Sequence, residues 1–419
     1  MTGPDAALDA APGARRLTAL PPLSLYVHLP WCVAKCPYCD FNSHEARGEI
    51  PEARYVDALL ADLAMEVPLV WGRTLSTVFV GGGTPSLFSA RALDRLLSGI
   101  RALTGLAPDA EITLEANPGA VERGRFADYR ALGIDRLSIG VQSLDDDRLR
   151  ALGRVHSAAE ARRAAEEARA AGFEELNLDL MYALPDQDLA AALADVEGAL
   201  ALEPSHLSCY ELTLEPNTRF AKFPPANLPE PDARFDMQEA ILGRLGAAGF
   251  ERYEISAFAR PGSRSRHNMN YWLFGDYLGI GAGAHAKLSF ADSGLVRRRW
   301  KVKHPTRYLE VAGSPEAVGG DAPIPIEDTG LEFMMNALRL VDGFERALFD
   351  ERTGVPLLGW RREIESAIED GLLESTGPAL RATARGLDLL DAVLERFVPA
   401  AGSGPGGSPP ARVIPIHAG

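Results

Sequence analysis

The chain has 419 residues, 46% hydrophobic and 24% charged, with 58 acidic against 43 basic side chains for a formal charge of −15, and only four cysteines. It is long enough for a substantial core and two domains. It is too acidic for a nucleic-acid face, which gains from counterion release, and too poor in cysteine for a disulfide framework.

Residues 1–20 are rich in Ala, Pro and Gly without an apolar period and are expected to form a disordered tail. They lack the continuous apolar stretch of a signal peptide, and later apolar runs are short and interrupted, so the sequence predicts a cytoplasmic protein without membrane insertion. Six β-branched or apolar runs follow: "LSLYVHLP", "LSTVFVGGGTP", "AEITLEANP", "IDRLSIGVQS", "ELNLDLMYALP" and "HLSCYELTLEP". Between them, residues 52–66, 89–104, 157–171 and 188–201 carry helical spacing. Strand followed by helix, repeated, predicts parallel strands with right-handed crossovers, closed as a barrel or left as an open sheet. The unusual polar residues come late in these runs: the cysteines after the first, "GGGTP" after the second, Glu115 and Asn117 in the third, Gln142 in the fourth and Asp179 in the fifth. The C-terminal ends of parallel strands form one face, so these residues are expected to converge.

Past residue 290 the pattern changes. "TGLEFMMNALRL", "LLGWRREIESAIEDGLLE" and "RATARGLDLLDAVLERF" read as helices, and "GLLESTGPALRATARG" as a hairpin wing. A small helical, winged-helix-like domain over 291–400 is expected, after a first domain over 21–290 and before a Gly/Pro/Ser-rich tail at 401–419. It has no basic recognition helix, which favours packing or partner contact over DNA binding.

"WCVAKCPYC", residues 31–39, gathers Cys32, Cys36 and Cys39 into nine positions. The CxxxCxxC spacing lets one short loop, restrained by Pro37 and Tyr38, wrap thiolates around a cubane. Three thiolates leave one iron of a [4Fe-4S] cluster open to a small molecule. A zinc site of the Cys₃His kind, completed by His28 or His44, is the alternative, although zinc sites more often use CxxC pairs. Cys209 lies in an apolar run and reads as a buried structural thiol.

"YVHLPWCVAKCPYCDF" resembles the signature of the radical S-adenosylmethionine (SAM) superfamily. From Tyr26 to Phe397 the chain resembles the oxygen-independent coproporphyrinogen III oxidases and above all their HemW-type relatives, the heme chaperones. The resemblance rests on "GGGTPS", "EANPG", "SIGVQS", "LGRVHS", "NLDLMYALP", "YELTLEPNT", "HNMNYW" and "GIGAGAHA" in order. It implies a partial (β/α)6 barrel with Cys32, Cys36 and Cys39 on the cluster. It also implies SAM held by Tyr26, Tyr38, Gly82, Gly83, Thr84, Glu115, Gln142, Arg154 and Asp179. In that scheme the glycines admit the ligand's amino group, Glu115 and Asp179 face its ribose and amino groups, and the Arg154 fork suits its carboxylate. Each residue also has a plainer reading: Tyr26 a barrel-core aromatic, Glu115 and Asp179 helix caps or surface charges, Arg154 a surface residue.

The oxidase branch carries a further cysteine two positions past the third; here that position is Phe41, as in the HemW-like branch. This favours heme handling over coproporphyrinogen decarboxylation, with the dehydrogenase and a zinc-stabilised binding module as alternatives. His267 of "HNMNYW" is the candidate axial ligand, with Tyr271 and Trp272 against the porphyrin face and His285, His156 and His28 as weaker candidates. Arg264, Arg266 and "RRRWK" at 297–301 are candidate partners of propionates. The implied partners are heme, a heme-acceptor protein at the membrane, and an electron donor such as a flavodoxin or ferredoxin.

Overall fold

The computed structural model describes residues 16–119 and 124–399. The expected tail at 401–419, and residues 1–15 of the expected tail at 1–20, lie outside the described residues. The rest of the first segment is docked: Leu17 is buried in the C-terminal core, and the Arg16 N–H donates to the Gly354 carbonyl.

All six predicted strands form. They are β1 (Leu23–Leu29), β2 (Thr74–Gly82), β3 (Gly105–Ala116), β4 (Arg136–Gln142), β5 (Glu175–Tyr182) and β6 (His206–Glu211), each parallel to the next. A seventh parallel strand, β7 (Asp276–Ile280), pairs with the other side of β1. It escapes prediction because its five residues, which include Asp276 and Gly279, make too short an apolar run to stand out. Antiparallel β8 (His285–Phe290), β9 (Leu295–Lys301) and β10 (Val318–Pro323) extend that side. The short strands Ala257–Ala259 and Glu251–Arg252 finish the other, giving one sheet of twelve strands in the described residues. Residue 290 therefore lies within the sheet, and "RRRWK" is part of β9.

The crossover helices start where short polar side chains can take up their free N–H groups. Ser89 accepts from the Ala92 N–H, Ser157 and Glu160 make a reciprocal box, and Asp188 accepts from the Ala191 N–H. The helix Ala90–Leu103 buries Leu93, Leu96, Leu97 and Ile100, one stripe at helical spacing, against the sheet. Each such side chain contributes about 1.5–3 kcal/mol by leaving water.

The C-terminal unit holds the helices Thr329–Ala337, Arg346–Thr353 and Arg361–Glu369. Its hairpin, Leu373–Thr376 with Ala379–Ala382, is joined by Phe344–Glu345. Phe333, Phe344, Phe349, Leu380 and Val393 form its own core. It meets the sheet domain through a backbone bridge between Glu254 and Leu340 and the ion pair between Arg339 and Glu254. No helix of the described residues is long and apolar enough to cross a membrane.

Candidate functional site

A cavity of about 1140 Å³ opens where the parallel strands end. Its wall brings together Cys32, Cys36, Cys39, Tyr38, Gly82, Gly83, Thr84, Glu115, Gln142, Arg154 and Asp179. The cysteine loop leaves β1 through Pro30 and is clasped by a two-residue parallel ladder, Trp31–Cys32 on His44–Glu45. Inside it the Cys39 N–H donates to the Cys36 carbonyl at 3.2 Å, and Lys35 Nζ donates to the carbonyls of Phe41 and Ser43. All three thiols are free and partly exposed, while Cys209 is buried in β6. Burial pushes the Cys32 thiol up to about 11, against a hydrogen bond with Thr84, and pushes Cys39 up as well. A metal would displace those protons on binding.

The donor set suits a cluster better than a single zinc ion. His28, a candidate fourth zinc ligand, has both ring nitrogens engaged, by the Tyr26 hydroxyl at 2.9 Å and the Asn42 carbonyl at 3.0 Å. His44 Nε2 faces Asn42 Oδ1 at 3.3 Å. Three thiols on one cavity wall fit a polynuclear centre with a small molecule beside it.

The glycine segment is shaped by the protein first. A Cβ on Gly82, whose φ is +120°, would lie 2.7 Å from the His28 ring, and one on Gly83 would lie 2.5 Å from the Trp31 carbonyl oxygen. Bare backbone is what lets β2 end against the cysteine loop. The Gly83 and Thr84 N–H groups donate to the carbonyls of Leu29 and Trp31. The Gly82 N–H donates to Glu115 Oε2 at 2.9 Å. Enclosure pushes Glu115 up to about 8, opposed by that N–H and reinforced by Asp179; Asp179 is raised as well, chiefly by burial. Two carboxyls in one enclosed space favour a ligand that brings positive charge or hydrogen-bond donors.

Arg154 Nη2 donates to Asn117 Oδ1 at 2.7 Å and to the Gly140 carbonyl at 2.6 Å, and Nη1 points at Cys36 Sγ at 3.8 Å. Asn117 Nδ2 reaches Thr84 Oγ1 at 2.7 Å. Gln142 sits in left-handed backbone at φ +69° and accepts from the Tyr210 hydroxyl at 2.7 Å. Asn117 thus ties the glycine segment to Arg154. It stood out in the sequence as a strand-end polar residue without an assigned role. Tyr210 and the C-terminal wall residues Met335, Arg339 and Leu387 to Leu390 gave no such signal, because only long-range packing brings them here.

Tyr26 and His267 are not in the wall. Tyr26 is directed to His28 by its hydroxyl. His267, the expected heme ligand, is 1% exposed with both nitrogens engaged: Nδ1 with Thr77 Oγ1 at 2.7 Å and Nε2 with the Tyr271 hydroxyl at 2.8 Å. Thr77 donates its own proton to Ser24, so His267 Nδ1 carries the hydrogen and Nε2 accepts from Tyr271. Burial brings this ring down to about 3. In this arrangement both ring nitrogens of His267 are held by protein partners.

Trp272 is buried under the Arg339 guanidinium, 4.5 Å from its ring centre. His156 Nε2 donates to the Val141 carbonyl, and His285 lies against Trp300, outside the cavity wall. The cations expected to face propionates are engaged in internal pairs. Arg264 meets Asp342 and Glu251, Arg266 meets Asp109, and Arg297 and Arg299 meet Asp321. Arg298 meets Glu332, and Lys301 meets Asp62 and Glu66.

Residues 26–196 match the model of the radical SAM superfamily, and residues 324–389 match that of the HemN C-terminal domain. The chain is 48% identical over 387 residues to the heme chaperone HemW of Escherichia coli (strain K12), covering 91% of this chain and all of that one. It is 38% identical to the heme chaperone HemW of Mycobacterium tuberculosis, covering 90% and 95% of the two chains. It is also 35% identical to the mitochondrial radical S-adenosyl methionine domain-containing protein 1 of Bos taurus, covering 92% and 88%. Among solved structures, coproporphyrinogen III oxidase (HemN) from Escherichia coli superposes with a TM-score of 0.77 at 24% identity, over 90% of each chain, a likeness of fold.

Proposed function

The chain belongs to the HemW family of heme chaperones within the radical SAM superfamily, and on that premise we propose that it binds a [4Fe-4S] cluster, SAM and heme, and hands heme to an acceptor hemoprotein. The observation that carries this reading is the convergence of Cys32, Cys36 and Cys39 with Arg154, Glu115 and Asp179 on one cavity, in a chain 48% identical to a heme chaperone along its length.

Cys32, Cys36 and Cys39 are the proposed cluster ligands, with Tyr38, Gly82, Gly83, Thr84, Glu115, Gln142, Arg154 and Asp179 around SAM. When bound, a SAM-liganded cluster supplies one-electron chemistry. The chain's own residues do the rest. Arg154, fixed by Asn117 and Gly140, offers a cation beside Cys36 for a ligand carboxylate. Glu115 and Asp179 offer acceptors for ammonium and ribose hydroxyl groups, and Glu115 gives up its proton when such a donor arrives. Leu387, Leu389 and Leu390 of the C-terminal unit, interleaved with Asp388, Asp391 and Glu395, also line the cavity. A cytoplasmic setting, a flavodoxin- or ferredoxin-type electron donor and a membrane-side acceptor complete the proposal.

Heme titration of anaerobically reconstituted protein, run beside a coproporphyrinogen turnover assay, tests it. Stoichiometric heme binding without porphyrin product is expected. Catalytic decarboxylation would replace the chaperone reading with that of the dehydrogenase.

A further inference from the structure

Asp179 is the end of a chain of hydrogen bonds. Asn177, two residues earlier on β5, shares its face. The parallel register sets Asn177 beside Ser138 of β4 and His206 of β6, and Asp179 beside Ser208 of β6. Asn177 uses both donors and both lone pairs. Its Nδ2 donates to Asp179 Oδ1 at 2.7 Å and Ser138 Oγ at 2.9 Å; its Oδ1 meets His206 Nδ1 at 2.6 Å and Ser208 Oγ at 3.2 Å. His206 Nε2 faces the Tyr253 hydroxyl at 2.9 Å, and that hydroxyl accepts from the Ser265 N–H at 3.4 Å. Ser265 caps the helix Arg266–Trp272, accepting from the Asn268 N–H at 3.3 Å. His206 and Tyr253 are 2% and 0% exposed, so no water substitutes for a missing partner.

The direction of every bond follows from chemistry. A carboxylate at Asp179 must meet the amide NH₂ of Asn177, which turns Oδ1 to His206. An amide oxygen only accepts, so His206 carries its proton on Nδ1, and Nε2 accepts from Tyr253. Burial brings His206 down to about 3, so the ring stays neutral near neutral pH. Ser265, Tyr253, His206 and Asn177 all donate toward Asp179, and bonds aligned in this way polarise one another.

We infer that His206 and Tyr253 are positioning residues for the SAM site: they fix the Asn177 amide so that Asp179 is held in one orientation toward the ligand, and they join that carboxylate to the helix Arg266–Trp272. This rests on the SAM reading. Tyr253→Phe deletes one hydroxyl and keeps the ring packing, which leaves His206 free to change tautomer and the amide free to turn.

The test measures SAM affinity of the full-length, anaerobically reconstituted protein for wild type, Tyr253→Phe, Asp179→Asn and the double variant. Tyr253→Phe is expected to weaken SAM about two- to tenfold, the range of one buried hydrogen bond, with iron content unchanged. In the Asp179→Asn background the same change is expected to add less than about twofold. In cluster-free protein, nitrogen NMR is expected to show the His206 proton on Nδ1 in wild type and a shifted tautomer balance in Tyr253→Phe. Unchanged SAM affinity in Tyr253→Phe, equal penalties in both backgrounds, or a proton on Nε2 would overturn the inference while leaving the SAM reading intact. Iron-loaded wild type that binds no SAM would overturn both.

Discussion

Arg154 Nη1 lies 3.8 Å from Cys36 Sγ while the other arm of the same guanidinium is held by Asn117 and Gly140. One side chain therefore joins the cysteine loop to the ends of β3 and β4. Lysine keeps the charge but lacks the planar fork. Arg154→Lys is expected to weaken SAM binding roughly ten- to hundredfold, the scale of charged hydrogen bonds, with iron uptake retained. Equilibrium dialysis with labelled SAM measures this, and wild-type affinity in the variant would count against the assignment.

Gly83 tests whether the glycine segment serves packing. An added Cβ would meet the Trp31 carbonyl oxygen at 2.5 Å, a backbone atom that cannot step aside without moving the cysteine loop. Gly83→Ala is expected to cost about 1–3 kcal/mol and to lower retained iron although all three cysteines remain. Iron analysis of the purified variant beside its thermal unfolding midpoint decides; unaltered iron and stability would mean the segment tolerates a side chain.

Glu115 gives the ligand-free protein a pH signature. Its carboxyl is at about 8 in the fold against 4.5 as its ordinary value, because enclosure disfavours the charge. The folded state thus binds more protons than the unfolded state between these values, and stability falls as pH rises from about 4.5 to about 8. The cavity admits water, so the effect is expected to be on the order of 1–3 kcal/mol. Glu115→Gln keeps an acceptor for the Gly82 N–H and removes the titration. Unfolding midpoints of the two proteins should diverge steadily above pH 5, the wild type falling. Parallel profiles would show that the carboxyl ionises freely.

His267 bridges Thr77 and Tyr271, with its ring 5.0 Å from that of Phe79. His267→Ala leaves two buried hydroxyls short of a partner and opens a cavity. A loss of about 2–4 kcal/mol is expected in heme-free protein. Denaturant unfolding checks it, and a variant as stable as wild type would return the ring to the pool of free ligands.

The alternation of apolar runs and helical segments made the six strands and their crossovers legible, since each strand is buried and each helix carries a stripe. β7 was not, because five residues interrupted by Asp276 and Gly279 make too short an apolar run to read. The site was legible where chemistry is local: three cysteines in one loop, glycines at a strand end, carboxyls in apolar runs. The state of His267 was not, because its partner Thr77 lies 190 positions away on β2 and only the fold brings them together. The same holds for Arg264, Arg266 and the basic run in β9, whose acidic partners are distant in sequence. Asn177, His206 and Tyr253 look like ordinary strand and loop residues until the register aligns them.

On the proposed reading, Cys32, Cys36 and Cys39 hold a cluster whose remaining iron takes SAM. The most direct measurement is iron and sulfide analysis of anaerobically reconstituted protein, with the electron paramagnetic resonance spectrum of the reduced protein recorded before and after adding SAM. About four irons and four sulfides per chain are expected, with a signal that changes on SAM addition and is absent from Cys36→Ala. Zinc in place of iron, or an iron signal indifferent to SAM, would contradict the account.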